Sequence, residues 1–144
     1  MATGDVVDPY RNFNFLVEID GITQAGFMDC TGFGADNAPI EYREGGENTT
    51  VRKLPGLTKY PNIQLKWGLT DSRDLYDWFR EIVQGKVDRK NGSIILRDLD
   101  GTERVRWNFV RGWPTKWDGP DFNAKGTDVA IETLDIAHEG IERA

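Results

Sequence analysis

The chain has one cysteine and one histidine among its 144 residues. Cys30 therefore has no partner for an intramolecular disulfide. One cysteine and one histidine also cannot supply the three or four nitrogen and sulfur ligands of a zinc site. A nucleophilic catalytic system would have to be built around His138, which lies in or just after the last predicted strand, where a structural role is the usual one. We expect no metal, no cofactor and no enzymatic activity.

Long apolar runs and long basic stretches are missing as well. The longest purely apolar stretches are about three residues, far short of a membrane span. Residues 1–5 do not begin a signal peptide, since no basic region followed by an apolar run is present. The formal net charge is −6, and the short basic groups are interleaved with acidic residues. We expect no membrane span, no secretory signal and no nucleic-acid-binding patch.

The dominant pattern is alternation of apolar and polar residues, which predicts strands with one buried face. Asp20-Gly21 and Asp100-Gly101 are tight-turn sequences, so we expect one hairpin over residues 13–30 and another over 92–110. Further strands are predicted by the remaining alternating segments. These are two short strands joined by a mobile tip within 38–54, one strand over 63–69 and a last strand over 129–137. The Trp-, Pro- and Gly-rich residues 112–126 are predicted to form a connection.

One segment has helical periodicity, because Leu75, Trp78 and Ile82 belong to a single apolar stripe. Asp71 is a natural N-cap and Gly85 a natural stop, which predicts a helix at about 72–84. The fold class is therefore mainly β, a β-sandwich or barrel with one flanking α-helix. We expect residues 1–144 to form a single domain, since that length is enough to bury one core.

Two acidic clusters are candidate sites. Oxygen-bearing side chains in the 118–128 segment resemble a hard-cation site in composition, but their spacing misses the ligand pattern of an EF-hand, and a solvated loop fits better. A second set lies on a predicted exposed hairpin, where nothing separates the pKa values of the carboxyl groups as paired acid-base catalysis requires. The first set comprises Asp118, Asp121, Asn123 and Asp128, and the second comprises Glu41, Glu44 and Glu47.

Aromatic residues of the 112–126 connection leave a rival function open. Trp113, Pro114, Trp117 and Phe122 would suit a platform for a sugar ring, as in a carbohydrate-binding β-sandwich that also uses nearby carboxylates. The same residues would equally suit a lid over the core. A binding module therefore stands as the alternative function.

Ordered sequence blocks carry a family resemblance over most of the chain, from about Asp8 to the C-terminus. Each block is weak alone, and the specificity lies in their order. The blocks are DPYRNFNF (8–15), GFMDCTG (26–32), IEYREGG (40–46), RKLPG (52–56), RWNF (106–109), WPTKW (113–117), AIETL (130–134) and AHEG (137–140). In this order they resemble the tube proteins of contractile phage tails and injection particles, to which the type VI secretion tube proteins are related.

The resemblance implies a structural subunit that forms six-membered rings stacked into a hollow tube. Its expected partners are further copies of itself, a sheath, baseplate and spike proteins, tube-terminating proteins, and protein or DNA cargo in the lumen. Assembly is expected in the cytoplasm of the producing bacterium, within a phage tail or a released or cell-retained particle.

Contacts between subunits are expected at open strand edges, at the extended N-terminal segment and at an arm spanning residues 41–60. Mixed charges, glycines and Pro55 give that arm the composition of a segment that reaches a neighbouring ring. The predicted contact residues are Tyr10, Arg11, Glu41, Tyr42, Arg43, Glu44, Glu47, Arg52, Lys53, Leu54 and Tyr60.

Overall fold

The computed structural model describes residues 14–22, 26–43, 45, 50–126 and 129–144. These ranges contain eleven strands and one helix, α1 (Asp74–Val83). The strands are β1 (Phe15–Ile19), β2 (Phe27–Thr31), β3 (Asp36–Asn37), β4 (Ile40–Tyr42), β5 (Arg52–Leu54), β6 (Thr58–Lys59), β7 (Ile63–Gly68), β8 (Lys90–Arg97), β9 (Glu103–Asp118), β10 (Ile131–Ala137) and β11 (Gly140–Arg143).

Seven strands form one antiparallel sheet in the order β1-β8-β9-β10-β7-β2, with β11 also paired to β9. The long strand β9 takes part twice. Its residues 103–110 pair with β8 and β11, and its residues 113–118 pair with β10. We call β1, β8, β11 and residues 103–110 half-sheet 1, and β2, β7, β10 and residues 113–118 half-sheet 2.

The two half-sheets meet at Arg111 and Gly112. Arg111 has a φ of 53°, a left-handed conformation that is rare for a residue with a side chain. Two contacts hold it there, since its backbone N–H donates to Asn91 Oδ1 at 3.0 Å and its Nε pairs with Glu139 Oε2 at 2.6 Å. The corner carries β9 from one half-sheet into the other.

Apolar side chains from both half-sheets fill the space between them. Val17, Ile94 and Phe109 come from half-sheet 1, and Leu65 and Leu134 from half-sheet 2; all are buried in one cluster. The alternating pattern that predicted the strands thus supplies the core. Leu75 and Trp78 of α1 join the same cluster. No helix in the described ranges is long and apolar enough to cross a bilayer.

The mainly β fold with one helix is confirmed, and the sheet remains open between β1 and β2 instead of closing into a barrel. The hairpin over 92–110 is confirmed as β8 and β9, with Gly101 at a φ of 88° in its turn. The helix ends at Val83, and Gly85 follows with a φ of 87°. Two short paired strands, β4 and β5, lie within 38–54 as expected.

Three local predictions were wrong. Gly21 does form a turn, but β1 pairs with β8 and β2 pairs with β7, so β1 and β2 do not form the hairpin predicted for residues 13–30. Phe27 instead packs its ring against Trp67 of β7, with the centroids 6.1 Å apart. The residue preceding α1 is Arg73, which makes no side-chain capping bond, so Asp71 is not the N-cap. Residues 112–118 belong to strand β9 and are not part of a connection as predicted. Pro114 is buried there, in a stretch that pairs with β10 on one side alone, and an edge strand is where a sheet accepts proline.

Candidate functional site

Half-sheet 2 has two free edges in the described part of the chain. Strand β2 pairs there with β7 alone, and residues 113–118 of β9 pair with β10 alone. Half-sheet 2 has four strands, and each is antiparallel to its neighbour. The first and the fourth strand, which form the two edges, therefore run in opposite directions. Each edge presents backbone N–H and C=O groups to a strand of another chain.

A bulge interrupts β2 at Met28. The register passes from the pair Phe27–Trp67 to the pair Asp29–Lys66, and Met28 has no partner residue on β7. Its side chain is half exposed. The neighbouring Cys30 points into the core instead, and burial raises the pKa of its thiol from 9.0 to about 12. Strand β2 therefore divides its side chains between the core and the free edge.

The face of half-sheet 2 that points away from the core is polar. Gln64 Nε2 donates to Asp135 Oδ1 at 3.1 Å, and Lys116 Nζ lies 3.4 Å from Asp118 Oδ2. The strand register places the outward-facing polar residues of the four strands in one patch, which has three carboxylates and two ammonium groups. The patch consists of Asp29, Thr31, Gln64, Lys66, Lys116, Asp118, Thr133 and Asp135.

The predicted arm over 41–60 corresponds to a slightly different segment, residues 36–59, to which we give the name arm from here on. Its described residues include two short ladders, β3 with β6 and β4 with β5. Asn37 closes the base, because its side-chain amide donates to Gly56 O at 3.0 Å and to Thr58 Oγ1 at 2.9 Å while its Oδ1 accepts from Gly56 N at 2.8 Å. These bonds are internal to the arm. Strands β4 and β5 are exposed along their whole length.

The two faces of the β4–β5 ladder differ in chemistry. Ile40 stands opposite Leu54, and both side chains are about half exposed. On the other face, Glu41 stands opposite Lys53. One face of the arm is therefore apolar at its base and the other carries opposite charges, as a surface that meets another protein would.

The structure gathers six of the predicted contact residues on this ladder or next to it: Glu41, Tyr42, Arg43, Arg52, Lys53 and Leu54. Another four, Tyr10, Arg11, Glu44 and Glu47, lie outside the described residues, as does most of the tip that we expected to be mobile.

Tyr60 packs against the residues that follow β10 and is not part of the arm. Its ring is partly buried and sits 5.6 Å from that of His138, centroid to centroid. His138 Nε2 lies within hydrogen-bond distance, 3.0 Å, of the carbonyl oxygen of Pro61. The imidazole therefore holds the chain in place just after the C-terminal end of the arm. Sequence reasoning gave His138 a structural role without its partner, because no local pattern links residues 77 positions apart.

Only part of the candidate cation site of the 118–128 segment lies in the described residues. Asp118 pairs with Lys116, Asn123 Oδ1 accepts from the Lys125 backbone N–H at 3.1 Å, and Asp128 lies outside the described residues. Within the described ranges, no group of three or more acidic, histidine or cysteine side chains is arranged to hold a metal ion.

The predicted aromatic platform is divided between different environments. Trp117 packs against the core and its Nε1 donates to Glu132 Oε2 at 2.9 Å, and Pro114 is buried. Phe122, in contrast, is 81% exposed in the loop after β9. Because these residues do not share one surface, the sugar-platform reading loses its structural basis.

Comparison with known structures gives full-length matches. A chain of the sheath-tube complex of the extracellular contractile injection system PVC is 28% identical, covers 94% of this chain and 91% of its own, and has a TM-score of 0.85. A chain of the anti-feeding prophage baseplate is 21% identical over 96% and 97%, with a TM-score of 0.86. Hcp1 from Flavobacterium johnsoniae is 18% identical over 92% and 95%, with a TM-score of 0.62. The last two show a shared fold.

No curated protein matches the chain. The family model of the T4-like virus tail tube protein gp19 matches residues 11–142, nearly the whole sequence. That range includes the free edges, the polar face and the arm. The chain therefore belongs to the T4-like virus tail tube protein family and is a tube subunit of a contractile tail or injection particle.

Proposed function

We propose that the free edges of half-sheet 2 close this tube subunit into a six-membered ring, with β2 of one copy pairing with residues 113–118 of the next. The observation that carries the proposal is the opposite direction of the two edges. Rotation about a ring axis preserves strand direction, so each new junction is antiparallel like the pairs within the subunit. Such a head-to-tail contact uses two different edges, and a closed ring leaves neither exposed.

A ring closed in this way leaves an open channel. Four strands from each of six copies would make a barrel of roughly 24 strands, well beyond the 16–18 at which barrels keep an aqueous lumen. The core occupies one face of half-sheet 2, so the polar patch around Lys66 and Asp135 lines the channel. Lys116 and Asp118 form an ion pair on it, and Asp135 accepts from Gln64, while Ile131 is a large apolar side chain beside the patch on the same face. Cargo, whether protein or DNA, would pass over it without a strong attachment.

The arm is the proposed contact between stacked rings. It projects as an independently bonded ladder with one apolar and one charged face. We further propose the remaining partners from the family resemblance: a sheath outside, a baseplate and spike at one end, and terminating proteins at the other. The subunit would be assembled in the producing cell's cytoplasm and would act as a conduit without bond-making chemistry.

Ring closure can be tested at Met28, the bulge residue of the edge strand β2, which has no register partner on β7. Met28→Pro removes a backbone N–H from this edge strand and fixes φ, and Met28→Ala is the matched control that keeps the N–H. We expect both variants to fold with similar melting temperatures, while only Met28→Pro fails to form rings by negative-stain microscopy. Rings of normal size from a folded Met28→Pro protein would refute the β2 junction.

Stacking can be tested by charge reversal on the arm. Arg52→Glu with Lys53→Glu should shorten or abolish tubes while leaving single rings intact, because it removes both cations of β5 and sets a second carboxylate opposite Glu41. The control makes the same charge change on exposed residues elsewhere, Lys86→Glu with Arg89→Glu. Equal tube lengths for the arm variant and the control would contradict the role of the arm.

A further inference from the structure

A surface cleft of about 380 Å³ opens beside the start of α1, where β9 ends and β10 begins. It lies apart from the arm and from the polar face of half-sheet 2. Side chains from the helix, the segment before it and two strands form its walls. They are Leu69, Thr70, Ser72, Arg73, Tyr76, Trp117 and Glu132.

Glu132 lines the cleft and is 6% exposed. Its Oε2 accepts the 2.9 Å hydrogen bond from Trp117 Nε1. Among the described residues, no cationic side chain forms an ion pair with this carboxylate, although it lines an open cleft. A buried carboxylate with one neutral donor has lost most of its hydration, and a cation is the group that compensates best.

The walls of the cleft are suited to a cation. The Tyr76 and Trp117 rings meet edge to face with their centroids 5.0 Å apart, and aromatic faces attract ammonium and guanidinium groups. The Arg73 guanidinium carbon already lies 5.5 Å from the Tyr76 ring centroid at the rim. The Arg73 guanidinium lies 3.4 Å from the Asp77 carboxylate, so these two charges at the rim balance each other. The negative charge of Glu132 is not balanced by them.

We propose that this cleft binds the cationic end of a lysine or arginine side chain from a partner protein chain. The carboxylate of Glu132 would take the charge, and Trp117 would cover the alkyl stem. A sugar ring would stack on the indole and donate hydroxyl hydrogen bonds to the carboxylate, but, being neutral, it would not balance the charge. The source of the cation rests on the proposed assembly, since a tube subunit is surrounded by other protein chains. The binding chemistry does not depend on that assembly.

The chemistry is testable on the unassembled subunit with n-butylammonium chloride and n-butylguanidinium chloride as probes. The readout is the indole N–H resonance of Trp117, identified by its loss in Trp117→Phe. We expect a saturable shift with a millimolar dissociation constant, and a weakening of about tenfold or more in Glu132→Gln, which keeps an acceptor oxygen for the indole. Potassium chloride and n-butanol are the controls for ionic strength and the alkyl stem.

No saturable shift, or an equal shift with n-butanol or in Glu132→Gln, would overturn the cation site. A cryo-EM map of the assembled particle then tests the source of the cation. Side-chain density entering the cleft from another chain supports a protein partner, whereas an empty cleft or isolated density overturns it. Because the first measurement needs no rings, failure of the cation site and failure of the ring proposal are separate outcomes.

Discussion

Replacing Gly92 with alanine should destabilise the subunit, because the position has no room for a methyl group. A Cβ there would overlap the ring of Phe109 and come within 2.7 Å of the carbonyl oxygen of Glu18. The Phe109 ring is 1% exposed in the centre of the core and has nowhere to move. Overpacking of this kind costs about 1–3 kcal/mol.

For a chain of this length, each kcal/mol shifts the melting temperature by about 2–4 °C, so we expect Gly92→Ala to melt about 2–12 °C lower. Circular dichroism at one low protein concentration measures this without a contribution from assembly. Gly34→Ala is the matched control, since no atom lies within 4 Å of its added Cβ. If both variants melt within about 1 °C of each other, the packing argument at Phe109 is refuted.

Two further substitutions test buried groups by chemical denaturation. His138→Phe removes the hydrogen bond to Pro61, but it also removes the buried Nδ1, which lacks a partner in the structure. Because these two effects oppose each other, the unfolding free energy should change by less than about 1 kcal/mol. His138→Ala leaves a cavity and should lower the unfolding free energy by about 2–4 kcal/mol. Equal losses would contradict this. The pKa of Cys30 is raised from 9.0 to about 12, so the folded chain keeps a proton that the unfolded chain loses above pH 9. Stability should fall there by about 1.4 kcal/mol per pH unit more steeply than in Cys30→Ala, and parallel pH profiles would exclude it.

Strand positions were predictable from sequence where side chains alternate strictly, as in β7, since each strand needs one face for the core. Pairing was not. Asp20-Gly21 correctly predicted a turn, but a turn says nothing about which strand the chain joins afterwards. Strand β1 pairs with β8, which lies more than seventy residues away, and such a choice depends on packing across the whole sheet.

Composition misled at residues 112–118. Tryptophan, proline and glycine together indicate a connection, yet residues 113–118 pair on one side alone, and a proline is accepted in such an edge strand. Gly112 belongs to the corner next to Arg111 and leaves space for the Phe109 ring, which would lie 2.9 Å from a Cβ there. The same residues that suggested a loop therefore build the crossing between half-sheets.

The arm was predictable as a segment because its charges, glycines and Pro55 lie together in sequence. Its boundary was not, since Tyr60 is held in the body by a ring far along the chain. The cation cleft could not be found by pattern at all. Tyr76, Trp117 and Glu132 come from three elements, and only folding brings the carboxylate and the two rings to one cleft.

The continuity of β9 has a mechanical consequence. One covalent strand of sixteen residues runs through both half-sheets, and hydrogen-bonded neighbours hold it on each side of the Arg111 corner. A force applied to half-sheet 1 along β9 therefore reaches half-sheet 2 through the backbone. The hydrogen bonds between β9 and its neighbouring strands resist that force together. The two half-sheets of such a subunit should move together when the tube is pushed, because the strand that they share holds them to each other.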